Sequence, residues 1–452
     1  MEKEIFRTTD CVCTGVVLWL GIVTRLWRLS YPDSVVFDEI HFGNFTNWYI
    51  AREHFFDIHP PLAKLIMAGF AYLGEYDGKI DFTTNYGKQY PNEDFVLLRF
   101  TPAFFSAMVP ALIFLSMRMF KLPLIPSLLS AVLCLFETSL ITEGRFILSD
   151  GILHFFVSLH ILSLALSLLD QRFLLFCGIT LGCACSCKST AWALPLVDAI
   201  AHTSDIISRP KFIQNLFRRG SILFFSLLGV YILSYTLHFI ILPYHGQGTP
   251  YLPQKMQLNL LNPSAPLHSK FISSPSLLSR IFQLSKTMHG SNMHITTFHP
   301  YQSRPTNWPL LTGNWVGFYS DGSCVVNCHG NIFVYLSALL GVLGCAFYQK
   351  NLLFSFGWFI SFVPFLRIPR SMYLYHYHIS LLFGCMACGA FVDCFKDKKF
   401  IALTICILAL VGLYLWSPLV YGFPEFDMRH LLWTRNWMYG DSFHQNLRSQ
   451  SG

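Results

Sequence analysis

Two short segments bring together side chains suited to moving a proton. In VVFDEIHFG, residues 35–43, the carboxylates of Asp38 and Glu39 are adjacent and His41 follows. In FFDIHPPLAKL, residues 55–65, Asp57, His59 and Lys64 fall close together. A carboxylate can accept the proton of a hydroxyl as that hydroxyl attacks an electrophile. Carboxylates and imidazoles can also hold a divalent cation, but this spacing matches no metal-ligand motif, so no metal is expected as a required cofactor. Arg25, Arg99, Arg145 and Arg370 recur along the chain, with Asp150 beyond Arg145 and Lys188 inside an apolar run. Guanidinium groups hold phosphate bidentately. Each charge taken singly is as readily a structural ion pair. Together with the acidic pair they suit a phosphate-linked sugar and a hydroxyl acceptor.

Apolar runs must position these groups. The chain has 452 residues, 53% hydrophobic and 13% charged, against about a quarter charged in soluble domains. With a mean hydropathy of +0.45, the composition predicts an all-α polytopic membrane protein. The net charge of +7 is spread in short clusters between apolar runs, the pattern that orients spans rather than one that binds nucleic acid. Spans are expected at 11–29, 101–119, 124–143, 147–169, 173–201, 221–243, 332–348, 352–366, 372–393 and 400–418. Basic clusters at Lys3 and Arg7, Arg118 and Lys121, Arg209 to Arg219, Lys350 and 396–399 mark one face as cytoplasmic. Two such clusters flank 124–201, which demands an even number of crossings, so 173–201 is read as two short spans broken near Gly182 and Lys188. The total is then about eleven, with the N-terminus cytoplasmic. The first run lacks a small-residue cleavage site and is read as a retained anchor. Segments 30–98 and 244–331 fall on the opposite face. A proton-coupled transporter would set its charges near mid-bilayer in broken helices, whereas Asp38 and Glu39 lie beyond a span.

Other features carry less. Most of the fourteen cysteines lie in apolar runs and read as small packing residues. Cys324 and Cys328, in the polar CVVNCHG, are the one pair for which a disulfide is considered. Phe42, Phe45, Trp48 and Tyr49 form a stripe that suits either a helix lying on the membrane or packing against the bundle. Asn44 sits in a formal glycosylation sequon so near the membrane that modification is not expected.

The residues from Ser30 to Ile66, SYPDSVVFDEIHFGNFTNWYIAREHFFDIHPPLAKLI, closely resemble the first luminal loop of the protein O-mannosyltransferases. The resemblance continues in family order through LLRFTPAFFSA, EGRFILSDGILHFF, LGCACSCKS, SRPTNWPLL and RSMYLYHYHISLLFG, and so covers most of the chain. It implies a GT-C glycosyltransferase fold and a multi-pass protein of the endoplasmic reticulum membrane with a luminal site. The implied reaction is inverting transfer of mannose from dolichyl phosphate mannose to Ser or Thr hydroxyls of secretory proteins, without a metal. The family's acidic pair matches Asp38, implied as the base, and Glu39, implied in support. Arg25 and Arg99 match functional arginines, and Arg145, Asp150, His376 and Arg370 lie in matching blocks, all implied on the donor-phosphate or substrate side. His41, Asp57, His59 and Trp308 are implied on the acceptor side. Family members act as homo- or heterodimers in membrane lipid, and one is expected here.

The departures from the family pattern are specific. LPYHGQGTPY leads almost directly into KTMHGSNMHI and SRPTNWPLL, leaving no room in 244–331 for the MIR domain that members carry there. Ser189 follows the lysine of the CKS block where the family tends to have Trp, and YLYHYH replaces paired histidines, so only His376 carries over. The expected organisation is a catalytic transmembrane module over 1–243, a shortened luminal loop over 244–331, C-terminal spans over 332–418 and a luminal tail over 419–452. Two other readings remain: a GT-C transferase acting on a glycan or lipid acceptor, and a non-catalytic membrane partner or transporter.

Overall fold

The computed structural model describes residues 8–84, 88–261, 275–321, 324–424, 432–434 and 436–437. Helices dominate. Six are long and apolar enough to cross a membrane: Thr8–Leu26, Asp94–Met119, Asp150–Leu169, Phe212–Ile241, Leu374–Val392 and Lys398–Tyr421. Shorter apolar helices cover Leu62–Leu73, Leu124–Leu135, Gln171–Cys185, Ile332–Tyr348 and Leu352–Leu366. Burial sorts the long helices into centre and rim. In their most apolar stretches 94% of the residues of Leu374–Val392 and 67% of those of Asp94–Met119 and Asp150–Leu169 are buried, whereas in Thr8–Leu26 the share is 22%. The first three form the middle of the bundle and the last presents Val12, Val16 and Trp19 outward, where lipid replaces water as the solvent for apolar side chains.

Small residues let the central helices touch. A Cβ on Gly21 would stand 2.2 Å from the Ala107 carbonyl oxygen, and one on Gly151 would stand 2.5 Å from that of Pro102. Glycine at both places brings Thr8–Leu26 and Asp150–Leu169 directly against the backbone of Asp94–Met119, the close approach that stabilises helix pairs in lipid.

The run 173–201 divides at Lys188 into Leu174–Cys185 and Leu194–Ile206, joined by a short 3-10 turn over Ser189–Ala193 with Lys188 extended before it, while Gly182 stays inside the first helix. The run 124–143 divides too. Leu124–Leu135 ends before Glu137, whose carboxylate caps the next helix, Thr138–Glu143, by accepting the Leu140 N–H.

Outside the spans, Glu39–Ala51 and Leu62–Leu73 follow the first helix. The aromatic stripe packs inward: Phe42, Phe45 and Tyr49 are buried, and Phe45 stacks on Phe55 at 4.8 Å. Within 244–331 the largest described elements are a helix, Leu277–Met293, and an antiparallel hairpin of Val316–Ser320 with Val325–Cys328. Cys324 and Cys328 are both buried and unbonded. The considered disulfide is absent because the extended strand carries the two thiols apart: Cys328 faces the Ser139 carbonyl, and Cys324 lies against Gly422. Of the tail, 425–431, 435 and 438–452 lie outside the described residues.

Candidate active site

The two adjacent carboxylates have opposite fates. Glu39 is sealed, with no exposed side-chain surface. One of its oxygens accepts from Arg99 Nε at 2.7 Å and from the Ile147 N–H at 3.1 Å. The other accepts from Arg99 Nη2 at 2.9 Å, the Tyr90 hydroxyl at 2.9 Å and the Val36 N–H at 3.1 Å. Asp38, one residue earlier, receives no side-chain hydrogen bond from the described residues and is only half-buried. Phe37 sets this division. Its φ of 45° is in the left-handed region that aromatic residues avoid, and its ring is held by stacking on Phe318 at 4.4 Å. Burial raises the Asp38 carboxyl above the ordinary carboxylate range; His41 and Lys188 oppose that rise, and Asp150 and Asp57 add to it.

Around Asp38 lie an ion pair and an aromatic wall. Lys188 Nζ donates to both Asp150 oxygens, at 2.8 and 2.9 Å, and stands 5.2 Å from the centre of the Tyr375 ring. Asp57 is bound to Lys64, which also donates to the His59 and Pro60 carbonyls at 2.9 Å, so the following loop is pinned at its start. His59 is half-buried, and its imidazole is held well below the ordinary range, chiefly by desolvation and further by Lys188, Lys64 and Arg370 nearby. His41 is exposed.

A cavity of about 520 Å³ opens beside this group. Its polar lining includes His59, Ser189, Thr190, Asn292, Arg370 and His376, and its apolar lining includes Trp192, Met288, Pro364 and Phe365. Arg370 also lines a second, more polar cavity of about 520 Å³ with Gln302, Arg304, Asn307 and Asn314. Arg370 donates to the Ser371 carbonyl at 3.1 Å and to Asn292 Oδ1, and is only partly buried.

Four sequence expectations need correction on this geometry. Arg99 was expected on the donor phosphate, yet every N–H of its guanidinium is already given: to Glu39 and to the carbonyls of Leu29, Pro32 and Ser34. Arg25 donates to the Leu135 and Cys134 carbonyls at 2.9 and 3.0 Å and is fully buried. Arg145 donates to the Arg25, Trp27 and Arg28 carbonyls and is buried likewise. Arg25 and Arg145 clamp helix ends, where carbonyls lack intrahelical partners, and Arg99 ties down the loop that follows the first helix. Trp308 was expected beside the acceptor, but it is buried, donates to Ser303 Oγ at 2.8 Å and lies parallel to the His376 ring. It shapes the cavity from behind. Of the other expected residues, Asp38, Asp57, His59, Asp150, Arg370 and His376 share one neighbourhood. Sequence reasoning left Lys188 without a role, read Ser189 only as a departure from the family pattern, and missed Thr190, Asn292 and Tyr375.

Fold and site define a multi-pass membrane protein of the GT-C glycosyltransferase architecture. The structure of the Saccharomyces cerevisiae protein O-mannosyltransferase Pmt1–Pmt2 complex bound to the sugar donor superimposes with a TM-score of 0.86 at 18% identity, over 97% of this chain and 95% of that one. An Archaeoglobus fulgidus oligosaccharyltransferase superimposes with a TM-score of 0.54 at 12% identity, over 92% of this chain and 53% of that one. In sequence, the family described as dolichyl-phosphate-mannose-protein mannosyltransferase matches residues 15–247, and the C-terminal four TMM region of protein-O-mannosyltransferase matches 344–437. The chain belongs to the dolichyl-phosphate-mannose-protein mannosyltransferase family. Dolichyl-phosphate-mannose–protein mannosyltransferase 1 of Saccharomyces cerevisiae is 31% identical over 65% of this chain, which spans 39% of that relative's length.

Proposed function

We propose that this chain transfers mannose from dolichyl phosphate mannose to Ser and Thr hydroxyls of secretory-pathway polypeptides, at the luminal face of the endoplasmic reticulum membrane. The observation that carries this reading is the division of the acidic pair. Glu39 is spent on Arg99, while Asp38 stands unpaired in the field of Lys188, Asp150 and Asp57. A serine hydroxyl is a weak nucleophile, and Asp38 takes its proton as the oxygen attacks the anomeric carbon. The bond from that carbon to the phosphate oxygen breaks with its electron pair on phosphate, and attack from the opposite side inverts the centre. The leaving phosphate carries its own charge, so it needs cations rather than a proton donor. Arg370 and Lys188 are the cations placed for that work, and the apolar wall of the first cavity suits the isoprenoid of the donor.

The more polar second cavity, sharing Arg370, is where an extended acceptor would lie; it supports recognition without a MIR domain. The yeast neighbour is a two-chain Pmt1–Pmt2 complex, which supports pairing of this chain with itself or with a relative. The deciding experiment is transfer of labelled mannose from dolichyl phosphate mannose to a Ser/Thr peptide by the purified chain, alone and co-expressed with a relative. Mannose appearing only on a glycan or lipid acceptor would favour another GT-C activity, and solute flux surviving loss of Asp38 would favour transport.

Arg370→Ala is expected to raise the KM for dolichyl phosphate mannose by roughly tenfold to a hundredfold, the worth of a charge-assisted hydrogen bond. Initial rates at varied donor check it, and an unchanged KM removes Arg370 from the phosphate. No divalent ion takes part in this scheme, so transfer is expected to persist in excess EDTA. A loss restored by added Mn²⁺ or Mg²⁺ would place an exchangeable metal in the reaction.

A further inference from the structure

Behind the Lys188–Asp150 pair, three elements far apart in sequence bring titratable side chains to one point. Glu143 ends the short helix Thr138–Glu143, His154 lies one turn after Asp150 on Asp150–Leu169, and His378 begins His378–Val392. All three are buried, and one ligand atom from each lies within 4.8 Å of the others. The two imidazole rings meet edge to face, 5.1 Å apart. None of these residues has a part in the transfer scheme above.

The hydrogen-bond count around them does not close. Glu143 Oε2, His154 Nδ1 and His378 Nδ1 are buried without a hydrogen bond, and buried polar atoms are rarely left so. Their outer partners sharpen the point. The Ser139 hydroxyl donates to Glu137 Oε2 at 2.7 Å and also lies 2.7 Å from His378 Nε2. A hydroxyl has one hydrogen. With that hydrogen given to Glu137, Ser139 accepts from His378, so Nε2 carries the imidazole proton and Nδ1 a lone pair. That lone pair faces Glu143 Oε2 at 3.0 Å. Two acceptors at that distance repel unless something positive sits between them. A proton on Glu143 would relieve this contact and leave His154 Nδ1 unpaired. A cation relieves all three at once.

We propose that Glu143, His154 and His378 form a buried divalent-metal site, filled by zinc. Two neutral imidazoles and a carboxylate are the donors zinc takes, whereas calcium and magnesium ask for oxygen throughout. Tetrahedral zinc holds its ligand atoms about 3.3 Å apart, which small side-chain rotations reach from the present spacing. Ser139, itself held by Glu137, orients His378 as outer partners orient metal-bound histidines. The ion ties together the helices carrying Glu143, His154 and His378, and it steadies Asp150 from one turn away. It is distinct from the Asp38 site, and the inference does not depend on the reaction assigned there. A second buried trio, His160, Cys177 and Asp198, lacks this signature, because His160 Nε2 and Asp198 Oδ1 already pair at 3.0 Å.

The test is metal content of the full chain, purified in detergent without chelator and measured by elemental mass spectrometry. About one zinc per chain is expected, retained through EDTA dialysis because the site is enclosed, and released on denaturation to a chromogenic chelator. His154→Ala and His378→Ala should each lower zinc content at least about tenfold. Wild-type protein with only trace metal, or full zinc in both variants, overturns the site. Should the variants fail to fold, wild-type chain produced with cobalt decides. Tetrahedral d–d bands without thiolate charge transfer are expected. A thiolate band would place the metal at Cys177 and overturn the assignment, as would absence of any cobalt spectrum.

Discussion

Asp38→Asn is expected to lower mannosyl transfer by about 10²- to 10⁴-fold, the usual contribution of a positioned general base, with folding and donor affinity retained. The amide has the same shape, and no described residue donates a hydrogen bond to the Asp38 carboxylate, so nothing structural is broken. The measurement is a pair: initial rates at saturating donor and peptide, and the thermal midpoint in detergent. A selective fall in kcat with an unchanged midpoint is the expected pattern, and substantial retained turnover removes Asp38 from the base role. The pH profile gives an independent reading. Burial raises the Asp38 carboxyl, and only the ionised form accepts a proton. Activity therefore falls as pH drops through a value above the ordinary carboxylate range. Lys188 opposes the rise, so Lys188→Met should move the acid limb to still higher pH. A limb that stays where it was would uncouple Lys188 from the base.

The sequence made the spans legible because a lipid environment writes itself as runs of apolar residues. The break near Lys188 was legible for the same reason: a charge and small residues interrupted a run too long for one span. The family resemblance singled out Asp38 and Glu39, but nothing in the order of residues says which carboxylate is sealed. That depends on the left-handed turn at Phe37 and on Arg99, sixty residues away. The arginines misled for a related reason. A charge beside a membrane span is costly wherever it lies, so sequence marks it as purposeful without separating a ligand for phosphate from a clamp on carbonyls. Arg25 and Arg145 clamp helix ends contributed by other parts of the chain, and those ends exist only once the helices have packed. His154 and His378 were passed over, because His154 lies in an apolar run, His378 stands two residues beyond the one histidine that carried over, and their meeting is a tertiary event.

Glu39→Ala and Arg99→Ala are expected to destabilise the protein rather than to weaken its hold on the donor. Each would strand a buried charge, at a cost of about 3–5 kcal/mol. Removing both charges together should recover little. Glu39 also accepts the Val36 and Ile147 N–H groups, and Arg99 also serves the Leu29, Pro32 and Ser34 carbonyls. An apolar pair such as Glu39→Met with Arg99→Leu would leave those backbone groups buried and unpaired. The expected result is a low yield of monodisperse protein, a lowered thermal midpoint for all three variants, and an ordinary donor KM in whatever folded fraction remains. Arg370→Ala supplies the contrast, with a raised donor KM and a midpoint close to that of the wild type. Should Arg99→Ala instead fold with an unchanged midpoint and a raised donor KM, then its guanidinium leaves Glu39 for the phosphate when donor binds. The sealed pair would then be the resting form of a binding site rather than a brace for Asp38.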